Sequence, residues 1–138
     1  MTIATKGVPI AQSVADFLNV PFVIVRHDTE ITEGSTVNVN YVSGSSTRIE
    51  KMSLSKRSLK PDSNVLIVDD YMRGGGTVGG MISMVDEFDA NLIGVGVVAE
   101  STAPNGRTIG DYTSLMRVDA ENNTVVSQPG NYLDKIFN

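Results

Sequence analysis

Residues Val65 to Thr77 read VLIVDDYMRGGGT, and this stretch decides the fold. Four consecutive apolar residues, Val65-Leu66-Ile67-Val68, predict a strand buried on both faces, as in a parallel sheet. Asp69 and Asp70 follow at the carboxyl edge of that strand, where open α/β sheets bind ligands. The loop Arg73-Gly74-Gly75-Gly76-Thr77 then leads into a helix predicted from about Val78 to Phe88. Its glycines let backbone N–H groups approach a ligand closely, and a helix N-terminus favours a phosphate. Thr77 adds a hydroxyl donor and Arg73 a fixed positive charge. Ionised carboxylates only accept hydrogen bonds, so the acidic pair suits the vicinal hydroxyls of a ribose, and it also suits Mg²⁺. A sugar with a 5′-phosphate meets both halves of the motif. Glycines alone would signal no more than a tight strand-to-helix junction; the apolar run, both acids and the loop together are more specific. The loop lacks the Lys-Ser/Thr pair of a P-loop. Its acids precede the glycines, unlike those of a dinucleotide fingerprint.

Upstream, Thr2-Ile3-Ala4 reads as the tail of a buried strand and Thr5-Lys6-Gly7 as a turn. Pro9 suits the first turn of a helix. Apolar Val8, Ala11, Val14, Ala15 and Leu18 recur at helical spacing, and Asn19 and Pro21 end the helix. Phe22 to Val25 is a second continuous apolar strand. This strand–helix–strand order predicts a parallel sheet. Val37, Val39 and Tyr41 alternate with polar residues, and Ile49 and Leu54 frame a second alternating stretch, so Ser35 to Leu54 reads as a partly exposed hairpin. Downstream, Asn91 to Ala99 reads as a strand and Pro104-Asn105-Gly106 as a turn. Ser114 to Val118 and Thr124 to Val126 read as short strands, and Tyr132 to Phe137 as a helical turn. Met81 and Met84, at helical spacing, belong to the core.

The 138 residues fit one domain, with 41% hydrophobic and 20% charged residues. Without cysteine there is no disulfide framework, thiolate metal site or cysteine nucleophile, which fits a reducing, cytoplasmic home. No apolar run reaches the roughly 18 residues of a membrane span. A net charge of −5, relieved only by a loose basic stretch at Lys51, Lys56, Arg57 and Lys60, argues against autonomous DNA binding. His27 is the single histidine; with only Asp28 beside it, it reads as a surface residue rather than a metal ligand.

The segment VLIVDDYMRGGGT is similar to the phosphoribosyl pyrophosphate (PRPP) motif of type I phosphoribosyltransferases. The resemblance implies an α/β fold with a mainly parallel twisted sheet, flanking helices and a flexible hairpin flap. It assigns the ribose hydroxyls to Asp69 and Asp70, and the 5′-phosphate to Arg73, Gly74, Gly75, Gly76 and Thr77. ATKGVPIAQSVADFLNVPFVIVR resembles that family's pyrophosphate loop, helix and next strand. It places pyrophosphate on Ala4, Thr5, Lys6 and Gly7, with Arg26 matching an arginine of the adenine-type branch. The hairpin from Tyr41 to Leu59 resembles the loop that covers the site, which makes Tyr41, Lys56 and Arg57 candidates there.

A narrower resemblance, carried by TVNVNYVSGSSTRIEKMSLSKRSL and MISMVDEFDANLIGVGVVAE, is to the effector-domain branch found in bacterial purine operon repressors. It implies a non-catalytic PRPP sensor spanning residues 1–138, a homodimer, and DNA contact only through a winged-helix domain absent from this chain. PRPP is the implied effector and no cofactor is required. The alternative is a purine phosphoribosyltransferase that moves ribose 5-phosphate from Mg-PRPP to a base. Arg73 and Gly74 stand where common enzymes of the family carry a small residue and a Ser or Thr, which favours the sensor. A transferase also needs a base pocket, and after Glu100 the one candidate aromatic platform is Tyr112.

Overall fold

The computed structural model describes residues 1–27, 34–44, 48–102, 107–119 and 125–137. In chain order the elements are β1 (Thr2–Ile3), α1 (Val8–Leu18), β2 (Ile24–Val25), β3 (Thr36–Val42), β4 (Ile49–Ser55), β5 (Asn64–Met72), α2 (Gly76–Glu87), β6 (Asn91–Ser101), β7 (Thr113–Asp119), β8 (Val126–Pro129) and α3 (Tyr132–Phe137). The turn at 104–106, the start of the last strand at Thr124, and Asp28 lie outside the described residues.

Strands β5, β6 and β7 run parallel, and β8 closes that sheet antiparallel. Strands β1 and β2 form a parallel pair beside it, tied to β5 where the Val68 N–H donates to the Met1 carbonyl at 2.9 Å. Helix α1 has proline in its first turn, and Asn19 closes it in the left-handed conformation at φ 55°. Helix α2 buries Val78, Met81, Met84 and Val85 against β3, β5 and β6. Both methionines are fully buried, as their spacing predicts.

Three local expectations need correction. β2 is shorter than the apolar run Phe22–Val25, and only Val25 is buried. Among the described residues it has one strand partner and a single bridge from Arg26 to Ser53, and Phe22 reaches solvent. The alternation read from Ile49 and Leu54 does not put both on one face, since Ile49 is 78% exposed. Ile49 and Leu54 are an odd number of residues apart, so a period of two puts them on opposite faces; Met52 and Leu54 take the buried side. β5 does not stop at Val68: it continues through both acids to Met72.

The β3–β4 hairpin stands where a covering flap is expected, but most of it is scaffold. Tyr41, Met52 and Leu54 are buried, and β3 packs on α2. Gly80 of α2 makes this packing possible, since a Cβ there would lie 2.9 Å from Cβ of Tyr41. The turn end of the hairpin, at Ser43 and Gly44, and the cross-strand pair Tyr41 and Glu50 next to it reach the site described next.

Candidate functional site

A cavity of about 930 Å³ opens at the carboxyl ends of β1 and β5. Asp69 and Asp70 line its floor. Side chains alternate along a strand, so Asp69 shares the face of Val65 and Ile67 and is 5% exposed. One carboxylate oxygen accepts the Asp70 backbone N–H at 2.9 Å. Burial raises the Asp69 carboxyl to about 7, and the adjoining Asp70 adds to the rise. The acids are therefore unlike: one is a sheltered, weakly acidic group, while the other stands nearer solvent.

The loop that follows places Arg73, Gly74, Gly75, Gly76 and Thr77 on the same cavity. Its three glycines do different work. Gly75 precedes α2 with φ 90°, a left-handed conformation that a side chain would strain. Gly76 begins the helix against β3, and a Cβ there would overlap the Val42 carbonyl oxygen. Nothing lies within 4 Å of the corresponding point on Gly74. The glycine run is thus part packing device and part open backbone.

Beside the acids, the turn after β1 brings Ala4, Thr5, Lys6 and Gly7 to the wall, with Lys6 exposed. The Ala4–Thr5 peptide is cis. Gly7 is buried between Thr2 and Asp69: a Cβ would overlap the Thr2 hydroxyl and lie 3.0 Å from an Asp69 oxygen. The turn and the acidic strand end are therefore one packed unit, although 62 residue numbers separate Gly7 from Asp69.

Tyr41 also reaches the cavity, but not as a stacking platform. Its ring is buried, and its hydroxyl donates to Glu50 Oε2 at 2.9 Å and lies 3.2 Å from His27 Nδ1. Burial, then the hydrogen bond and charge of Glu50, hold the phenol well above its ordinary pKa, so it stays a neutral donor. His27 and Glu50 both line the cavity, 3.7 Å apart. His27 reads in the sequence only as a surface residue, and Glu50 does not stand out there. The signal that could have found Glu50 is register: it pairs directly with Tyr41 across the hairpin.

Arg26, Lys56 and Arg57 are not brought to the cavity wall. The backbone of Arg26 bridges to Ser53, donating at 3.0 Å and accepting at 2.7 Å. Lys56 and Arg57 follow the end of β4 opposite the turn, where the Lys56 N–H donates to Ser35. Tyr112 is engaged elsewhere. Its hydroxyl donates to Glu100 at 2.6 Å and the Arg107 guanidinium sits 5.5 Å from its ring centroid, and it does not line the main cavity.

The chain matches the family model described as phosphoribosyl transferase domain over residues 1–132. It is 53% identical over 136 residues to the purine biosynthesis transcriptional repressor PurR of Bacillus subtilis, covering 96% of this chain and 48% of that protein. It is 57% identical over 141 residues to the purine biosynthesis transcriptional activator PurR of Lactococcus lactis, covering 100% of this chain and 51% of that protein. The chain thus spans about half the length of these curated relatives. Among solved structures, adenine phosphoribosyltransferase from Thermoanaerobacter pseudethanolicus superposes with a TM-score of 0.75 at 23% identity, covering 84% of this chain and 67% of the other, which shows the shared fold.

Proposed function

Because this chain belongs to the phosphoribosyl transferase domain family, we propose that it is the PRPP-sensing effector domain of a purine-biosynthesis transcriptional regulator. One observation carries this reading: the acid pair, the glycine loop and the Thr5-Lys6-Gly7 turn, distant in sequence, share one cavity. Asp69 and Asp70 accept from the ribose hydroxyls. The amides of Gly74 to Thr77, with Arg73, take the 5′-phosphate. Lys6 and the neighbouring backbone hold pyrophosphate, and the acids leave room for Mg²⁺ as a companion of the ligand.

The relatives include one named repressor and one named activator, so the domain is a reader of PRPP whose output sign is set elsewhere. PRPP shifts regulation by binding two states of the regulator unequally. We place DNA contact outside residues 1–138, since the charge of −5 disfavours it here, and we expect a homodimer working in the cytoplasm. No helix among the described residues is long and apolar enough to cross a membrane. A second reading, transfer of ribose 5-phosphate from PRPP to a purine, is favoured by the intact acid pair. The engagement of Tyr112 counts against it.

Calorimetric titration with PRPP, with and without Mg²⁺, followed by purine bases, separates these readings. Binding without pyrophosphate release is the expected result. Release with any base would make the chain a transferase, and absence of binding would remove the PRPP assignment.

A further inference from the structure

We infer that Arg107 is a positioning residue for the phosphate loop, anchored on the buried Glu100; this rests on reading Arg73–Thr77 as the 5′-phosphate cradle. Arg107 Nε donates to the Arg73 carbonyl at 3.4 Å, and the Thr108 N–H donates to the Gly74 carbonyl at 3.2 Å. Ile109 completes the support beneath Gly75, where a Cβ would lie 2.8 Å from its side chain. Arg107, Thr108 and Ile109 do not line the main cavity, whereas Arg73, Gly74 and Gly75 do. The two tethers therefore draw these carbonyls toward residues that are not on the cavity wall. In a trans peptide plane the next N–H points opposite to the carbonyl. Tethering Arg73 O thus aims the Gly74 N–H toward the cavity, and tethering Gly74 O does the same for Gly75. A loop of three glycines has little intrinsic preference for that geometry, so an external brace decides it.

The guanidinium is itself fixed. Nη1 donates to Glu100 and to the Tyr112 hydroxyl, the latter at 2.6 Å, while Nη2 donates to the Ser101 carbonyl. Glu100 is 2% exposed and also accepts from Ser114 at 2.6 Å and Arg117 at 3.2 Å. Asn131 in turn takes the Ser114 N–H at 2.7 Å. The brace therefore runs from the phosphate loop into β7 and the turn before α3. Only a planar fork reaches all these acceptors at once; the single ammonium of lysine keeps the charge but not the reach.

The test compares wild type with Arg107→Lys by calorimetry, using ribose 5-phosphate, pyrophosphate and PRPP as separate probes, with thermal melting as the fold control. The expected result is about a tenfold loss for ribose 5-phosphate and PRPP, with pyrophosphate affinity unchanged. A merely structural role would weaken all three together or none, and either pattern overturns the inference. Should Arg107→Lys fail to fold, Glu100→Gln retains an acceptor for Arg107 and carries the same test, with a smaller selective loss. Wild type that binds no ribose 5-phosphate would instead remove the cradle reading beneath the inference, an outcome distinct from a variant that binds as well as wild type.

Discussion

Tyr41 and Glu50 face each other across the β3–β4 pair, and the phenol donates to the carboxylate at 2.9 Å. This places a third carboxylate on a cavity that already holds Asp69 and Asp70, with a neutral donor moderating its charge. Tyr41→Phe keeps the buried ring and removes the donor. The expected stability loss is about 1 kcal/mol, read from urea denaturation. Affinity for an anionic ligand such as PRPP should fall several-fold as the Glu50 charge becomes less compensated. An affinity equal to wild type would show that Glu50 is too remote from the ligand to matter.

Asp69 carries a linkage with a definite sign. Its unfolded pKa is near 3.9 and its folded value is about 7, so the ionised form is disfavoured by folding. The penalty is absent below about pH 4, grows between the two values and is complete above 7. Asp69→Asn should therefore stabilise the ligand-free protein at pH 8, on the order of 1–3 kcal/mol, and change little at pH 4. PRPP binding should disappear in Asp69→Asn and, in wild type, weaken as pH falls through 7. Thermal melting at both pH values checks the first part and calorimetry the second.

The buried Glu100 has the opposite sign. Burial raises its pKa, but donors from Ser114, Tyr112 and Arg117 and the charge of Arg107 outweigh that, leaving it below the ordinary value. Its contribution is present above the unfolded pKa and is lost as pH falls through the depressed folded one. Glu100→Gln leaves two guanidiniums facing a neutral group and should cost about 3 kcal/mol at pH 7. The gap from wild type should narrow when both are denatured at pH 3. A gap independent of pH would mean that hydrogen bonding rather than charge supplies the stability.

Gly74 and Gly76 separate two roles within one loop. Gly76→Ala drives a methyl into the Val42 carbonyl and should cost about 1–3 kcal/mol with a lowered melting temperature. Gly74→Ala meets nothing within 4 Å and should stay within about 0.5 kcal/mol of wild type. Equal losses would mean that backbone freedom, not the approach of β3, sets the requirement at Gly76.

The ligand-facing end of the fold was legible in sequence where signals are local and dense. Val65 to Thr77 announced a buried strand, an acidic end and an anion-ready helix start, because a four-residue apolar run and a glycine loop constrain the backbone regardless of what surrounds them. The pairing of that motif with Thr5-Lys6-Gly7 came from family resemblance, not from any residue spacing. Tertiary structure alone decided which neighbours matter. His27 and Glu50 join Tyr41 through strand register. Asp69 is buried while Asp70 is more open, because Gly7 packs against one face of β5. Arg107 reaches the glycine loop at Arg73 from 34 positions away. A sequence fixes which chemical groups are available and the period with which they repeat. The low-dielectric contacts that shift a carboxyl or aim a peptide N–H exist only once distant segments have been brought together.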